Sequence, residues 1–177
     1  IARLVGSEMC IRDSNIRTQE CQSVLNCIQV KYPEYKFLCD VPPETINEFK
    51  TNLPSNHYKR ALFTSEENQR TLKAVNFLKD GDVVQLGNLL YSSHEGLRDL
   101  YEVSCKELDF LVEFTRNISS IKGARMMGGG FGGCTLNIVK ENYVTHFIND
   151  ISQGYLKKFN IKLTPHVVKT NNGVKVL

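Results

Sequence analysis

A run of glycines from Gly128 to Gly133 constrains the fold of this chain more than any other feature. Five of these six consecutive residues are glycine, and Phe131 is the exception. Glycine loses more conformational freedom on folding than any other residue, so such a run is costly unless the backbone must adopt shapes that exclude a Cβ. We therefore expect several residues at positive φ, or a close approach of the main chain to a ligand or another loop.

The residues that follow the run exclude the common nucleotide-binding glycine motifs. Gly128, Gly130 and Gly133 satisfy G-x-G-x-x-G, but in dinucleotide-binding proteins that motif opens a helix. Here the segment Cys134 to Val139 alternates apolar and polar side chains, which predicts a strand. No Gly-Lys-Ser/Thr follows, as a Walker A loop requires. A protein-kinase glycine loop fits locally, yet the sequence after it contains neither H-R-D nor D-F-G.

The remaining sequence predicts several helices and then a small sheet. The predicted helices are residues 19–31, a short helix at Pro42-Pro43, residues 58–78, one capped by Asp82, one opened by a capping box of Ser104 and Glu107, and residues 141–158. The predicted strands are 125–127, 134–139 and a closing strand at 166–169. Helices combined with a β-loop-β-α-β segment indicate an α+β fold with a mainly antiparallel sheet.

Two long segments resemble the galactokinase branch of the GHMP small-molecule kinases. They are GARMMGGGFGGCTLNIV, from Gly123 to Val139, and SSHEGLRDLYEVSCKELDFLV, from Ser92 to Val112. The resemblance implies a GHMP-kinase C-terminal domain over residues 15–177, with helices packed on a ferredoxin-like sheet. A third stretch matches the family in order and spacing at Lys59, Arg60, Ala61, Glu67, Arg70 and Thr71.

The first fourteen residues do not share this resemblance. IARLVGSEMCIRDS resembles a translated sequencing adapter, so we expect residues 1–14 to be non-native and exclude them from fold reasoning. Family-like sequence begins at Asn15, where galactokinases usually carry a sugar-contacting tyrosine just before the asparagine. This chain has Ser14 at that position.

The resemblance implies an ATP-dependent sugar kinase of the cytoplasm. Its full-length parent would use ATP and Mg²⁺ to phosphorylate the anomeric hydroxyl of galactose. In galactokinases the catalytic aspartate and arginine, the phosphate-wrapping loop and the Mg²⁺ ligand lie in the N-terminal half. We therefore carry over no catalytic residue and no metal ligand, and expect this chain to be inactive alone. Leu62-Phe63 replaces the Arg-His that galactokinases often carry, so an N-acetylgalactosamine kinase or a non-catalytic sugar sensor is the alternative.

The candidate site residues are those of the glycine loop. In the family this loop lies beside the phosphate-wrapping loop, and we favour packing support over direct phosphate contact. Phe131 is expected to pack, with base stacking as the alternative, and Arg125 is either salt-bridged or directed to the active site. Alanine at Gly129 or Gly130 is expected to reduce turnover more than stability. The candidate residues are Gly128, Gly129, Gly130, Phe131, Gly132 and Gly133.

A second cluster, Ser92-Ser93-His94 with Arg98 and Asp99, invites comparison with a hydrolase triad. A triad usually gathers residues from separate loops, whereas these follow one another along a single predicted helix. We instead expect His94, Arg98, Asp99 and Glu102 to make capping and ion-pair contacts at a helix junction.

Composition gives no argument for nucleic acid or membrane as a partner. The net charge is +3, and no apolar run approaches the length of a membrane helix. The six cysteines form no C-x-x-C pair and no metal-ligand spacing. We expect Cys21 and Cys134 to be buried free thiols.

Overall fold

The computed structural model describes residues 2–169, with side chains described from residue 15 onwards. The chain divides into two compact units, Ile1–Lys140 and Glu141–Leu177. The expectation that residues 1–14 are non-native stays a prediction. The side chains of these residues lie outside the described ones.

Helices dominate the first unit, and a two-stranded antiparallel sheet follows them. This arrangement, β1 paired with β2 from Met127↔Cys134 to Ile121↔Val139, confirms the predicted α+β class. The second unit contains a short 3-10 turn at Glu141–Tyr143 and helix α6 at Val144–Phe159. The elements of the first unit are α1 Ala2–Gln29, a 3-10 turn at Leu38–Asp40, α2 Pro43–Glu48, α3 Ser55–Asp80, α4 Val83–Asp99, α5 Lys106–Glu113, β1 Ile121–Met127 and β2 Cys134–Val139.

The junction between α3 and α4 has the predicted turn chemistry. Gly81 ends α3 with φ 71°, a left-handed conformation that glycine adopts without a Cβ penalty. The carboxylate of Asp82 then caps α4 by accepting the N–H of Gln85 at 3.0 Å. The two long helices are therefore joined by a tight turn.

The predicted capping box at the start of α5 is wrong. The helix begins at Lys106 after Cys105, so Ser104 lies one residue too early to cap it. The Ser104 hydroxyl instead donates to Oδ1 of Asp109 at 2.5 Å. Ser104 and Glu107 have the right spacing, but the backbone enters the helix one residue later than the motif requires.

The predicted closing strand is also wrong. Residues 166–169 are described, and they form no strand. Val167 and Val168 are 66% and 74% exposed, so the two apolar side chains are not buried. A short β-branched run favours extended backbone but forms a strand only where a neighbouring strand supplies hydrogen bonds.

Two apolar clusters among the described residues bear on the glycine loop and its surroundings. One cluster joins α1, α2 and α3 around Val24, Ile28 and Ile46. The other consists of Val103, Leu108 and Met126, and Phe131 of the glycine loop packs against it.

The described cysteines, which exclude Cys10, are all free thiols. Cys21 is half-buried and its sulfur lies 3.7 Å from the hydroxyl of Thr64. Cys134 is exposed, so the expectation that it is buried is wrong. It is the first residue of β2, at the edge of the glycine loop, and packing does not cover it there.

Helix α4 lies directly against strand β1 because two glycines meet there. A Cβ at Gly87 would overlap the carbonyl oxygen of Lys122, and one at Gly123 would lie 2.6 Å from the carbonyl oxygen of Gly87. The backbones of helix and strand are therefore in contact. Small and polar residues form the buried face of α4: Gly87, Ser93, His94 and Gly96.

No helix within the described part of the chain has the length and apolar character needed to cross a membrane.

Replacing Gly123 by alanine should destabilise the first unit by at least about 2 kcal/mol, because its Cβ would overpack the contact with α4. Lys122→Ala is a matched control, since the Lys122 ammonium makes an exposed 2.8 Å hydrogen bond to the Ser119 carbonyl. The control should cost less than about 1 kcal/mol. Chemical denaturation measures both changes. Equal losses in the two variants would contradict a rigid contact between α4 and β1.

Candidate functional site

The glycine loop, residues 128–133, connects β1 to β2 and depends on positive φ angles. Gly129 is the one residue of the loop whose φ is not positive, so the sequence-based expectation of several positive φ angles is confirmed. The non-glycine member, Phe131, also lies in the left-handed region, which side chains rarely adopt. The angles are 94° at Gly128, 90° at Gly130, 60° at Phe131, 142° at Gly132 and 103° at Gly133.

One side of the loop is packed against the chain. A Cβ at Gly130 would lie 2.5 Å from the carbonyl oxygen of Val103. The N–H of Phe131 donates to that same carbonyl at 2.7 Å. The Phe131 ring packs against the cluster of Val103, Leu108 and Met126, as expected. Close approach therefore explains Gly130.

The other side of the loop is open. Apart from the glycine and its two chain neighbours, no heavy atom of the described residues lies within 4 Å of a Cβ placed on Gly128, Gly129 or Gly132. At Gly133 the nearest atom is the Met127 carbonyl oxygen, 3.6 Å away. Gly130 therefore combines a positive φ with close packing, whereas Gly128, Gly132 and Gly133 have a positive φ without it. Gly129 has neither, and the unpacked glycines leave room for another group.

The Glu67 carboxylate connects the strand that enters the loop to both long helices. Its Oε1 accepts hydrogen bonds from Nη1 of Arg125 at 3.0 Å and from the hydroxyl of Ser93 at 2.5 Å. Its Oε2 accepts from Nε of Arg70 at 2.8 Å. Arg125 also donates from Nε to the Met126 carbonyl at 3.0 Å. Its ion pair with Glu67 agrees with the prediction of a salt-bridged arginine.

His94 makes a second connection to the same strand. Its side chain is 1% exposed, and Nδ1 accepts the backbone N–H of Met126 at 3.3 Å. Nε2 lies 3.2 Å from Oδ1 of Asp109 but is not aligned for a hydrogen bond. Burial lowers the pKa of His94, and Asp109 opposes that effect. The neutral ring with a free Nδ1 lone pair is therefore the form that holds β1.

The segment that supports the packed side, residues 100–103, is itself held by charged groups. Arg60 donates to the Leu100 carbonyl and, at 2.6 Å, to Oε2 of Glu102. Arg17 donates from Nε to the Tyr101 carbonyl at 2.9 Å. We call this segment the 100–103 loop. Glu102 has φ 54°, an uncommon conformation for glutamate.

The geometry contradicts a hydrolase triad and matches the expected structural contacts. Ser93 is bonded to Glu67 and His94 to the backbone of Met126, so these two residues do not pair with each other as nucleophile and base. Arg98 pairs with its neighbour Asp99 at 2.7 and 2.8 Å. Glu102 pairs with Arg60, as described above.

The residues that the structure describes contain no group of three or more His, Cys, Asp or Glu side chains that could hold a metal ion.

Sequence reasoning found the glycine loop but missed the residues that support it. Val103 lies inside the matched segment from Ser92 to Val112, and Arg60 lies inside the matched stretch that begins at Lys59. Their place in segments that match the family was the sequence signal that could have pointed to these two residues. No local pattern predicts the left-handed backbone of Glu102, because glutamate has no preference for it.

Comparisons with known proteins agree with this fold and with the motifs. The family model described as GHMP kinases C terminal matches residues 71–155. The galactokinase of Thermotoga maritima is 40% identical over 98% of this chain and 50% of its own length. The galactokinase of Actinobacillus pleuropneumoniae is 38% identical over 98% of this chain and 45% of its own. The chain thus spans about half the length of the curated relatives it matches.

The fold also matches a solved structure. The crystal structure of Lactococcus lactis galactokinase complexed with galactose superposes with a TM-score of 0.80 at 30% sequence identity. The match covers 85% of this chain and 39% of that one.

The stability of the fold should depend on pH through His94. An unfolded histidine titrates at about 6.5, and burial lowers the folded pKa of His94. As pH falls, the unfolded state therefore binds the proton at a higher pH than the folded state does. The free energy of unfolding decreases below about pH 6.5 because of this group and is unaffected by it above that pH. The loss cannot exceed about 1.4 kcal/mol per pH unit.

His94→Asn is the comparison variant, since its amide oxygen can accept the Met126 N–H without titrating. Its unfolding free energy should lack this pH-dependent loss, although the smaller side chain lowers the absolute value. Urea denaturation of both proteins between about pH 7.5 and about pH 5.5 measures the difference. Parallel pH profiles would show that His94 titrates alike in the folded and unfolded states.

Proposed function

We propose that this chain is a GHMP-kinase C-terminal domain and, more specifically, the C-terminal half of a galactokinase. The observation that carries the proposal is the similarity to galactokinases over 98% of the chain. The parent protein transfers the γ-phosphoryl group of ATP to the anomeric hydroxyl of galactose, with Mg²⁺, in the cytoplasm. Galactose and ATP are its small-molecule substrates.

Phosphoryl transfer depends mainly on alignment and on neutralisation of charge, and it needs little covalent chemistry from the protein. The glycine loop supplies alignment. Its packed side, Gly130 and Phe131, fixes the loop to Val103. Its open side, at Gly128, Gly129 and Gly132, leaves room for the phosphate-wrapping loop of the N-terminal half or for ligand oxygens. Backbone N–H groups in such turns form concave sites for anions.

Phe131 belongs to the packing of the loop in this proposal. Its ring lies in the cluster beneath the loop and is half-buried. A base-stacking role would have to use the exposed part of the ring.

The catalytic groups belong to the N-terminal half of the parent. In galactokinases that half holds the catalytic aspartate and arginine and the Mg²⁺ ligand, so we name no catalytic residue in this chain. The 177-residue chain alone is inactive in this proposal.

The substitution at Leu62-Phe63 gives no reason to prefer another sugar. The Phe63 side chain is buried, with its ring centroid 5.0 Å from that of Tyr101. Leu62 packs against the cluster of α1, α2 and α3. In this proposal the departure from the family pattern is a difference in packing, and the sugar assay below decides between the alternatives.

The full-length protein, expressed with the sequence upstream of Asn15, tests the proposal directly. An assay of ATP-dependent phosphorylation should yield galactose 1-phosphate. Preference for N-acetylgalactosamine, or sugar binding without turnover, would instead establish one of the two alternatives.

The isolated chain should bind MgATP poorly, because half of the site cannot enclose the nucleotide. Isothermal titration of the purified chain is the measurement, with the full-length protein as the positive control. Micromolar binding by the chain alone would show that this domain carries most of the nucleotide site.

Two alanine substitutions separate the roles of the two sides of the loop. In the full-length enzyme, Gly129→Ala should leave the melting temperature nearly unchanged, since its Cβ meets open space. It should reduce kcat/KM by at least about tenfold if a ligand or the phosphate loop occupies that space, because displacements near 1 Å at a reacting centre can cost about a hundredfold.

Gly130→Ala serves as the comparison. The packing at Gly130 changes the sequence-based expectation for this variant, which should chiefly lower stability, by about 2 kcal/mol or more. Its Cβ would meet the carbonyl of Val103, and its φ of 90° disfavours any side chain. Full activity of Gly129→Ala would leave only the packing role for the loop.

A further inference from the structure

We propose that Arg60 is a positioning residue for the glycine loop, acting through the 100–103 loop on which the glycine loop rests. The functional part of this inference rests on the proposed galactokinase reaction. The structural part rests on contacts within the first unit alone.

Arg60 is a buried cation whose hydrogen bonds point in three directions. The residue is 2% exposed. Its Nε lies 3.3 Å from Oε2 of Glu20 on α1, Nη1 donates to the Leu100 carbonyl, and Nη2 donates to Oε2 of Glu102. A planar guanidinium presents its donors in a fixed fork, so these bonds fix the relative positions of their acceptors.

The far end of this connection is also fixed. Glu20 Oε1 accepts from the Asn56 amide at 2.6 Å, and Oε2 lies 3.5 Å from Nη1 of Arg17. Glu20 is itself 7% exposed. Arg60 is therefore fixed relative to α1 and α3, and its hydrogen bonds to Leu100 and Glu102 fix the 100–103 loop relative to the same two helices.

The 100–103 loop needs such a support because Glu102 is strained. Its φ of 54° costs about 1 kcal/mol or more for a residue with a side chain. Strain of this kind persists where surrounding contacts hold the backbone. Here Arg60 holds the carboxylate, and Arg17 donates to the Glu102 carbonyl at 3.3 Å.

Val103 connects the 100–103 loop to the glycine loop. It follows Glu102 directly, and its N–H donates to the Leu97 carbonyl at 3.0 Å. Its own carbonyl accepts the N–H of Phe131 and lies where a Cβ on Gly130 would collide. Movement of the 100–103 loop would therefore move the packed side of the glycine loop.

Two variants weaken the connection in different ways. Arg60→Lys keeps the charge but replaces the fork with a single ammonium, which cannot bond Glu20, Leu100 and Glu102 together. Glu102→Gly removes the carboxylate and at the same time relieves the strain at positive φ. The second variant should therefore loosen the loop with little loss of stability.

Arg116→Lys is the matched control. Arg116 is a less buried arginine, with its side chain 27% exposed, and like Arg60 it has two carboxylate partners, Glu95 and Glu113, at 2.7 and 2.8 Å. Its described hydrogen bonds and ion pairs do not involve the 100–103 loop.

Hydrogen–deuterium exchange of the Phe131 amide is the first measurement, made on both the 177-residue chain and the full-length protein. Arg60→Lys and Glu102→Gly should each raise its exchange rate at least about tenfold, because the Val103 acceptor is released. The control variant and the amides of α5 should exchange as before. Unchanged Phe131 exchange in both variants would overturn the inference, whatever their activity.

Steady-state kinetics of the full-length enzyme is the second measurement. Both variants should lower kcat by at least about tenfold with a smaller change in the KM for galactose, because alignment is lost and sugar binding is not. Faster exchange with unchanged kcat in an active galactokinase would overturn the positioning role. A wild-type protein without kinase activity would refute the proposed function, while the exchange result would still decide whether Arg60 holds the loop.

Discussion

The backbone contact between Gly87 and Gly123 is the constraint on which the surroundings of the glycine loop depend. Because no side chain separates the helix from the strand, α4 lies close enough for the His94 imidazole to accept the N–H of Met126. The same closeness places the Ser93 hydroxyl on the carboxylate that also holds Arg125. Glycine costs conformational entropy at both positions, and the close packing that it permits offsets that cost.

Polar groups beneath the loop connect elements that the apolar core alone would leave free to shift. A buried polar group is costly unless it is hydrogen-bonded, and a bond to a fixed partner also restricts position. Glu67 joins α3, α4 and β1, while Arg60 joins α1 and α3 to the 100–103 loop. Together they hold both the strand that enters the glycine loop and the carbonyl on which it rests. An open face on a rigid base suits a reaction that depends on alignment.

Local sequence patterns predicted most helices, strands and turns well, but they predicted poorly the features that depend on contacts with other segments. The turn at Gly81 and Asp82 was predicted because both residue types have strong local preferences there. The capping box at Ser104 was wrong by one residue, since several residues near a helix start can satisfy the same spacing. The closing strand at 166–169 was wrong because strand formation depends on a partner that the segment itself does not specify.

The sequence by itself determined that the chain is α+β, that the run 128–133 needs several residues at positive φ or a close approach of the backbone, and that its motifs resemble those of galactokinases. Only the tertiary structure decided which glycines are packed and which face open space. It also decided that Glu102 adopts a left-handed backbone and that Arg60 holds it. Arg60 and Glu102 lie 42 positions apart. A contact at that separation leaves no periodicity or spacing to detect, because it forms only when the helices pack and bring the two residues together.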